Sequence, residues 1–401
     1  MPVDLHAHGD AFVRDPHPLF SSLLAGGQAH RVRFTEGFDG WLIVGHEASR
    51  NALNDPRLIN DPRRVPETDG PGPGGARRFD DNLLSLDAPD HTRLRRLVAK
   101  EFTARRVRGL EPRVQEIVDG LVGTLAEGPR ERVDLVEALS FPLPITVIAE
   151  LLGVPFLERE TFRHLSSGVL ESTNQEEAAA MSEDLHAFLA RLVDAKRAAG
   201  GEDLLGALLE AASREGEEDS LITGAELLGM ANLLLVAGYE TTVNLISSTV
   251  LCLLQHPEQL AQVRADPSLV AAAVEETLRF EGPVARSIPR FATEPIPFDD
   301  GTVIPAGEVV CIGLASAGRD PERFPHPDEF DIHRDTGGHL AFGHGAHFCL
   351  GAPLARLEAR TAVTTLLARI PALALDVPAS ELSWRTGTLL RGPRQLPVRL
   401  G

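Results

Sequence analysis

Apolar residues recur at three- and four-residue spacing along much of the chain, the period of a helix with one buried face. The pattern is clear in PRVQEIVDGLVGTLAE (112–127), VDLVEALSFPLPITVIAELLG (133–153) and EDLHAFLARLVDAKRAA (183–199). From Pro89 to about Arg279 most of the chain reads as helix, and APLARLEARTAVTTLLARI (352–370) predicts a last one. Strand-like pieces are short. AHRVRFTEGFDGWLIVG (29–45) reads as two strands around a Gly-containing turn, followed by a helix from His46 to Asn54. The stretch 286–317 and the chain beyond 370 look like further small strands. The expected fold is mainly α with small β-sheets, an α+β arrangement.

Two segments break the pattern. Leu227 to Leu254 is the longest apolar stretch, and it reads either as a membrane span or as a long helix through a globular interior. Asn232, Glu240, Thr241, Thr242 and Asn244 interrupt it and are costly in lipid, which favours the interior helix. Residues 61–80, DPRRVPETDGPGPGGARRFD, are rich in Pro, Gly and charge. They predict a lid loop, extending to 86, or a linker. Both flanks look like parts of one domain, which favours the lid and a single domain over 1–401.

Composition narrows the classes. A net charge of -19 disfavours nucleic acid and anionic membranes as partners. The three cysteines, Cys252, Cys311 and Cys349, are far apart, and no CxxC spacing exists, so neither a disulfide framework nor a zinc finger is expected. The polar start, MPVDLHAHGDAFVRDPHP, shows no signal-like apolar run, so a cytoplasmic location is expected.

Cys349 lies in GHLAFGHGAHFCLGAPLARLEAR, just ahead of the 352–370 helix. A helix start offers free amide N–H groups and the positive end of the peptide dipole, and both favour thiolate. Gly343, Gly345 and Gly351 allow tight turning and close approach of backbone to a flat partner. Thiolate, amides and an apolar surround suit a thiolate-ligated haem iron. Spacing alone leaves open a buried structural cysteine and a nucleophilic one; His344 and His347 are close in sequence, which does not place them against the sulfur.

Five further features carry candidate chemistry. Ala237-Gly238-Tyr239-Glu240-Thr241-Thr242 weakens the long apolar helix, and Glu240 is expensive to bury without a task or partner. It reads as a kink with incidental polar residues or as an acid–alcohol pair. Glu276 and Arg279 share one helix face, as a surface ion pair or part of a buried network. DAPDHTRLRRLVAKEF (87–102) starts a helix near Pro89 and puts His91 and Arg95 on one face. The same region carries Arg93, Arg96, Lys100, Arg105 and Arg106, either a solvated face or a docking surface for an acidic protein, which Arg356 and Arg360 extend. Arg286, between Pro283 and Pro289, meets a substrate polar group or turns to solvent or another acid.

FGHGAHFCLG resembles the haem-binding signature of cytochromes P-450, with Phe342, Gly345, Cys349 and Gly351 at its fixed positions. The other motifs occur in the family's order over roughly residues 10–400. The likeness is to soluble bacterial members that hydroxylate macrolides, carried by FPLPITVIAELLGVP, LLGMANLLLVAGYETTVNLI and DGTVIPAG. It implies the P-450 fold, a triangular prism-like helical domain with haem b between the long central helix and the helix after Cys349. Cys349 is then the axial ligand, with Ala237, Gly238, Phe342, Gly343 and Gly351 around the cofactor. His91, Arg95, Arg290 and His347 match partners of the haem propionates. Glu240 and Thr241 match the pair that delivers protons to bound O2; position 239 is often His in similar sequences and is Tyr here, which alters the surroundings of Glu240. Glu276, Arg279 and Arg334 match a structural network. Leu233, Ala237, Val284, Arg286, Ser287 and Ile288, with segments 61–86 and 165–185, fall where the family binds substrate.

The resemblance further implies a monomeric monooxygenase, with electrons passing from NAD(P)H through a ferredoxin reductase and a ferredoxin docked on the basic run. One oxygen atom enters a C–H or C=C bond of a lipophilic secondary metabolite, a macrolide or polyketide; terpenoid, steroid-like and fatty-acid substrates are the alternatives. A peroxide-driven peroxygenase usually replaces the acid–alcohol pair, which is intact here. A haem-based gas sensor usually carries an output domain, which the sequence does not show.

Overall fold

The computed structural model describes residues 2–65, 82–128, 132–162, 164–165, 175–201, 203–213 and 222–401. The chain divides into two compact units. One comprises Met1–Arg77, Glu111–Ser140 and Thr241–Gly401; the other comprises Arg78–Leu110 and Phe141–Glu240.

The first unit is built on a six-stranded sheet in the order β1-β2-β3-β9-β6-β4. Its strands are β1 (Val3–Asp4), β2 (Ala29–Arg33), β3 (Asp39–Ile43), β4 (Leu58–Ile59), β6 (Arg290–Ala292) and β9 (Val309–Ile312). β2 and β3 form the expected hairpin, turning through Gly37 at φ 88°. β3 then pairs with β9 in parallel, Leu42 opposite Cys311 and Ile43 opposite Ile312. Successive side chains leave opposite faces of a strand. Ile43, Val310 and Ile312 accordingly enter one core with Leu53, Ile304 and Leu340, whereas Leu42, Val44 and Cys311 enter another with Phe20, Val32 and Phe34. Burying each such Leu, Ile or Val contributes about 1.5–3 kcal/mol. Two smaller sheets join β10 (Ala374–Leu375), β11 (Pro397–Arg399) and β5 (Arg132–Asp134), and β7 (Ile296–Pro297) with β8 (Val303–Ile304).

Helices α1 (Gly9–Arg14), α2 (His17–Gly26) and α3 (His46–Asn54) belong to this unit. In the second unit lie α4 (Asp90–Ala99), α6 (Pro142–Leu151), α7 (Gln175–Ala199) and α8 (Leu204–Ser213). α5 (Ala104–Glu127) and α9 (Gly224–Gln255) have residues in both. The first unit also holds α10 (Pro257–Ala265), α11 (Val270–Phe280), α12 (Leu314–Gly318) and α13 (Ala352–Arg369). α11 packs on α13, burying Ala273, Val274 and Leu278 on one side and Leu354, Leu357 and Ala362 on the other.

The helices expected over 46–54 and 352–370 form at those positions. The run 133–153 differs: it resolves into β5, a π-helical turn at Val136–Ser140 and then α6. Pro142, which lacks an N–H, is tolerated at the start of α6, where that donor has no helical partner. α5 begins well before the expected 112 and carries Pro112 inside it, at the loss of one helical hydrogen bond. The break lies beside the Leu110–Glu111 border between the units. By length and composition α9 could cross a membrane, but 71% of its most apolar stretch is buried within the protein, as expected for an interior helix. Of the expected lid, residues 66–81 lie outside the described residues, as do 166–174 of the 165–185 segment.

Candidate functional site

Cys349 sits in a loop that only glycine-rich sequence can form. Gly343 and Gly345 adopt φ 72° and 74°, in the left-handed region that disfavours other residues. At Gly345 a Cβ would stand 2.0 Å from Asn54 Oδ1, so a side chain there would displace the Asn54 amide. A short 3₁₀ turn, Gly345–His347, follows, and the Cys349 N–H donates to the Phe342 carbonyl at 2.9 Å. That bond closes the loop just before α13, whose N-cap is Gly351.

Of the three thiols only Cys349 is exposed. Burial pushes the Cys311 thiol up to about 11, against the pull of the nearby Arg286 charge. Burial likewise raises Cys252 far above the ordinary thiol range. Burial disfavours thiolate at both positions, and Cys349 is the exposed thiol left as candidate for a soft anionic ligand. The two alternatives left open by spacing are thus narrowed: Cys349 is not a core residue.

The end of α3 gathers several expected residues beside this loop. Arg290 is buried, and its Nη1 donates to the carbonyls of Ala52 and Leu53 at 3.4 and 3.1 Å. A cation at a helix C-terminus is electrostatically favoured. The His347 ring lies within hydrogen-bond reach of Asn60 Nδ2, 3.0 Å from Nε2. Arg290, Gly345 and His347 therefore share one neighbourhood within the first unit. Asn54 and Asn60, which shape it, have no marking in the sequence.

In the second unit His91 and Arg95 lie one turn apart on α4 as their spacing predicts, His91 buried and Arg95 half-buried. Burial, and then the Arg95 charge, hold His91 below the usual histidine range. Arg93 departs from its expected place on an open basic face. It forms an ion pair with Glu226, a buried acid. Burial alone would raise the Glu226 pKa, but hydrogen bonds from Arg93 and the Thr223 N–H hold it below the usual carboxylate range. Thr223 and Glu226 also bond each other's N–H groups, a capping box at the start of α9 that T-x-x-E makes legible in sequence.

Along α9, Leu233, Ala237 and Thr241 recur every four residues and are all incompletely buried. From Thr242 to Leu253 every residue is buried, so the open stripe stops at Thr241. At Gly238 a Cβ would come within 3.1 Å of Ile148 Cδ1, a contact tight enough that the Ile148 side chain would have to give way. Tyr239 is buried edge-on against Phe141, with ring centroids 5.7 Å apart. Glu240 beside it is buried, and Thr241 is half-buried.

Glu276, Arg279 and Arg334 come together. Arg279 Nε and Nη2 each donate to Glu276 at 2.7 Å, and Arg334 Nε donates to Glu276 Oε1 at 3.3 Å. Arg279 also satisfies the carbonyls of Gly318, Pro327 and Glu329.

Arg286 requires a correction. Its guanidinium is buried and donates to Glu36 Oε1 and Thr388 Oγ1, both at 2.9 Å, over the stacked Phe34 and Phe38 rings. It turns to an acid and is not available as a polar contact for substrate. Val284, Ser287 and Ile288 around it are half-buried, and Ser287 Oγ is spent on the Ile288 carbonyl. Arg356 and Arg360 are also paired, to Glu275 at 2.6 Å and Glu111 at 3.1 Å, rather than open extensions of a basic patch. Arg96 and Lys100 remain exposed and make no ion pair among the described residues.

The residues present fit a thiolate-ligated haem. Within the first unit an exposed sulfur stands in a glycine-turned loop, with Arg290 and His347 close by as a cation and an N–H donor suited to a carboxylate; within the second, His91 and Arg95 share one face of α4.

The sequence model of the family described as Cytochrome P450 matches residues 161–375. The chain is 52% identical to the cytochrome P450 monooxygenase PikC of Streptomyces venezuelae, over 99% of its own length and 94% of that protein's. With the 6-deoxyerythronolide B hydroxylase of Saccharopolyspora erythraea it shares 40% identity over 98% and 97% of the two chains. The solved structure of the ligand-free P450 monooxygenase TamI superposes with a TM-score of 0.87 at 43% identity, covering 100% of this chain and 94% of that one.

Proposed function

This chain belongs to the cytochrome P450 family of haem-thiolate monooxygenases, and from that premise we propose that it hydroxylates or epoxidises a macrolide or polyketide with electrons from a ferredoxin. The observation that carries the reading is the exposed sulfur of Cys349 in its glycine-turned loop at the head of α13, with the other two thiols buried. The substrate class rests on the likeness to PikC and to the 6-deoxyerythronolide B hydroxylase. Residues 1–401 act as one P450 domain, monomeric and cytoplasmic.

Haem on a cysteine thiolate supplies activation of O2 and insertion of one oxygen atom. The chain supplies the rest. Cys349 Sγ would hold the iron, and the Cys349 N–H donates to the Phe342 carbonyl, which fixes the backbone that carries the sulfur. Phe342, Gly343 and Gly351 let backbone lie close to a flat ring. Arg290, His347, His91 and Arg95 neutralise the two carboxylates. Glu240, buried, and Thr241, half-buried beside it, are the acid–alcohol pair that would relay protons toward the open stripe of α9. By likeness to the family, Leu233, Ala237, Val284 and Ile288 are the apolar residues that would meet a lipophilic molecule.

Ferredoxin, reduced by its NAD(P)H-dependent reductase, docks at Arg96 and Lys100. Arg93, Arg356 and Arg360 already have acid partners, so they add little net charge to that surface. The test is spectral. Reduced protein with carbon monoxide must give the band of thiolate-bound haem, and candidate macrolides must shift the ferric spectrum more strongly than fatty acids or terpenoids. A nitrogen-ligated spectrum rejects the haem-thiolate assignment; a stronger response to fatty acids rejects the substrate class.

A further inference from the structure

Behind the Cys349 loop lies a cluster the reaction does not use. Glu275, on α11 next to Glu276, accepts from Arg356 Nε at 2.6 Å and Nη2 at 2.9 Å. Such a two-point pair fixes the plane of the guanidinium as well as its position. The guanidinium carbon lies over the Phe342 ring, 4.5 Å from its centroid. Phe342 is the residue whose carbonyl receives the Cys349 N–H. The same carboxylate reaches into the loop a second time, 3.1 Å from His339 Nε2. His339 Nδ1 in turn lies 3.3 Å from the Ala341 N–H, so the ring ties both ends of the turn that leads to Phe342.

The His339 side chain is buried, and those of Glu275 and Arg356 are half-buried. Side-chain exposure is 6% for His339, 29% for Glu275 and 37% for Arg356. Burial opposes ionisation of Glu275, yet the hydrogen bonds from Arg356 and His339 hold its pKa at about 2. The carboxylate is therefore a standing charge at neutral pH.

We infer that Glu275, Arg356 and His339 form a clasp that positions Phe342 and thereby the sulfur of Cys349, making Arg356 a positioning residue rather than a docking charge. The clasp rests on the haem-thiolate reading of Cys349. Its physical logic is direct. Glu275 holds Arg356 flat, Arg356 holds the Phe342 ring by cation–π attraction, and the Phe342 carbonyl holds the cysteine amide. Removing the carboxylate frees the guanidinium and His339 together.

The test uses the haem-loaded protein and two readouts that a general loss of stability would move in the same sense. The first is the rate at which the thiolate carbon monoxide spectrum decays under mild denaturant. The second is the haem reduction potential. Glu275→Gln and Arg356→Gln should both hasten the decay, by roughly tenfold. Their potentials should move in opposite directions: up when the anion is removed, down when the cation is removed. Arg356→Lys should restore the potential but only part of the lifetime, because an ammonium keeps the charge and loses the planar fork. His339→Gln, which leaves the Arg356 pair in place, should hasten decay by a smaller factor; it serves if Glu275→Gln does not load haem.

Wild-type decay in Glu275→Gln, or a loss of ferredoxin affinity in Arg356→Gln with no change in decay, overturns the clasp. Failure of the haem-thiolate reading would show differently, as the absence of the thiolate spectrum in the unaltered protein.

Discussion

Arg279 meets Glu276 one helical turn earlier through two hydrogen bonds of 2.7 Å, and both side chains are shielded from water. Isolated surface pairs at this spacing are worth well under about 1 kcal/mol. This one is different because Arg279 spends its remaining donors on the carbonyls of Gly318, Pro327 and Glu329. The pair thus stitches α11 to the stretch that leads into the Cys349 loop.

Removing either partner leaves a charge buried without compensation. Glu276→Ala or Arg279→Ala should cost about 3–5 kcal/mol. Little haem-loaded protein should accumulate, measured as haem absorbance per mole of chain. Normal holoprotein yield would contradict a network that holds the loop.

Thr241 lies where the open stripe of α9 ends and the buried length begins. Thr241→Ala should keep haem and substrate binding but lower product formed per NAD(P)H by at least roughly tenfold, within the range for a lost proton donor. The missing equivalents should appear as hydrogen peroxide. Thr241→Ser should recover most of the coupling. Full coupling in Thr241→Ala would remove Thr241 from the relay.

The basic residues of α4 separate into two classes. Neutralising Arg96 and Lys100 together should slow ferredoxin association by about threefold at low salt, with the difference fading as salt rises. Arg93→Gln should behave otherwise. It leaves the buried Glu226 without its cation at the start of α9, so it should lower the unfolding temperature at all salt concentrations. A salt-dependent ferredoxin defect in Arg93→Gln, with normal stability, would return Arg93 to the docking surface.

Glu358, on α13, is buried, and its Oε2 has no hydrogen-bond partner among the described residues. Burial raises its pKa from 4.5 to about 8. Between those values the folded chain holds a proton that the unfolded chain releases. Stability contributed by this site therefore falls as pH rises through that window and levels off above it. Glu358→Gln should flatten this slope and gain roughly 2–4 kcal/mol at the alkaline end. Chemical unfolding of holoprotein at several pH values measures it; parallel pH profiles for the two proteins would show that Glu358 is ionised in the fold.

Local patterns reached far into this protein. The four-residue spacing of His91 and Arg95, the i,i+3 spacing of Glu276 and Arg279, and the glycines around Cys349 each specify geometry within one turn or one loop. Such geometry follows from backbone dimensions alone, and the structure reproduces it. The β2–β3 hairpin and the α3 and α13 helices were legible for the same reason. A capping box at Thr223 and Glu226 was equally local and could have been read.

What the chain could not disclose by itself was the fate of single charges. Arg93, Arg286 and Arg356 look alike in sequence, each a cation suited to a partner or a ligand. Their acids lie 133, 250 and 81 residues away. Coulomb attraction acts through space, and only the packing of sheet, helices and loops brings Glu226, Glu36 and Glu275 within reach. The sequence by itself determined the local geometry, the glycine-turned Cys349 loop included; the tertiary structure decided which cations are paired with acids and which stay exposed, because those pairs join residues far apart in the chain.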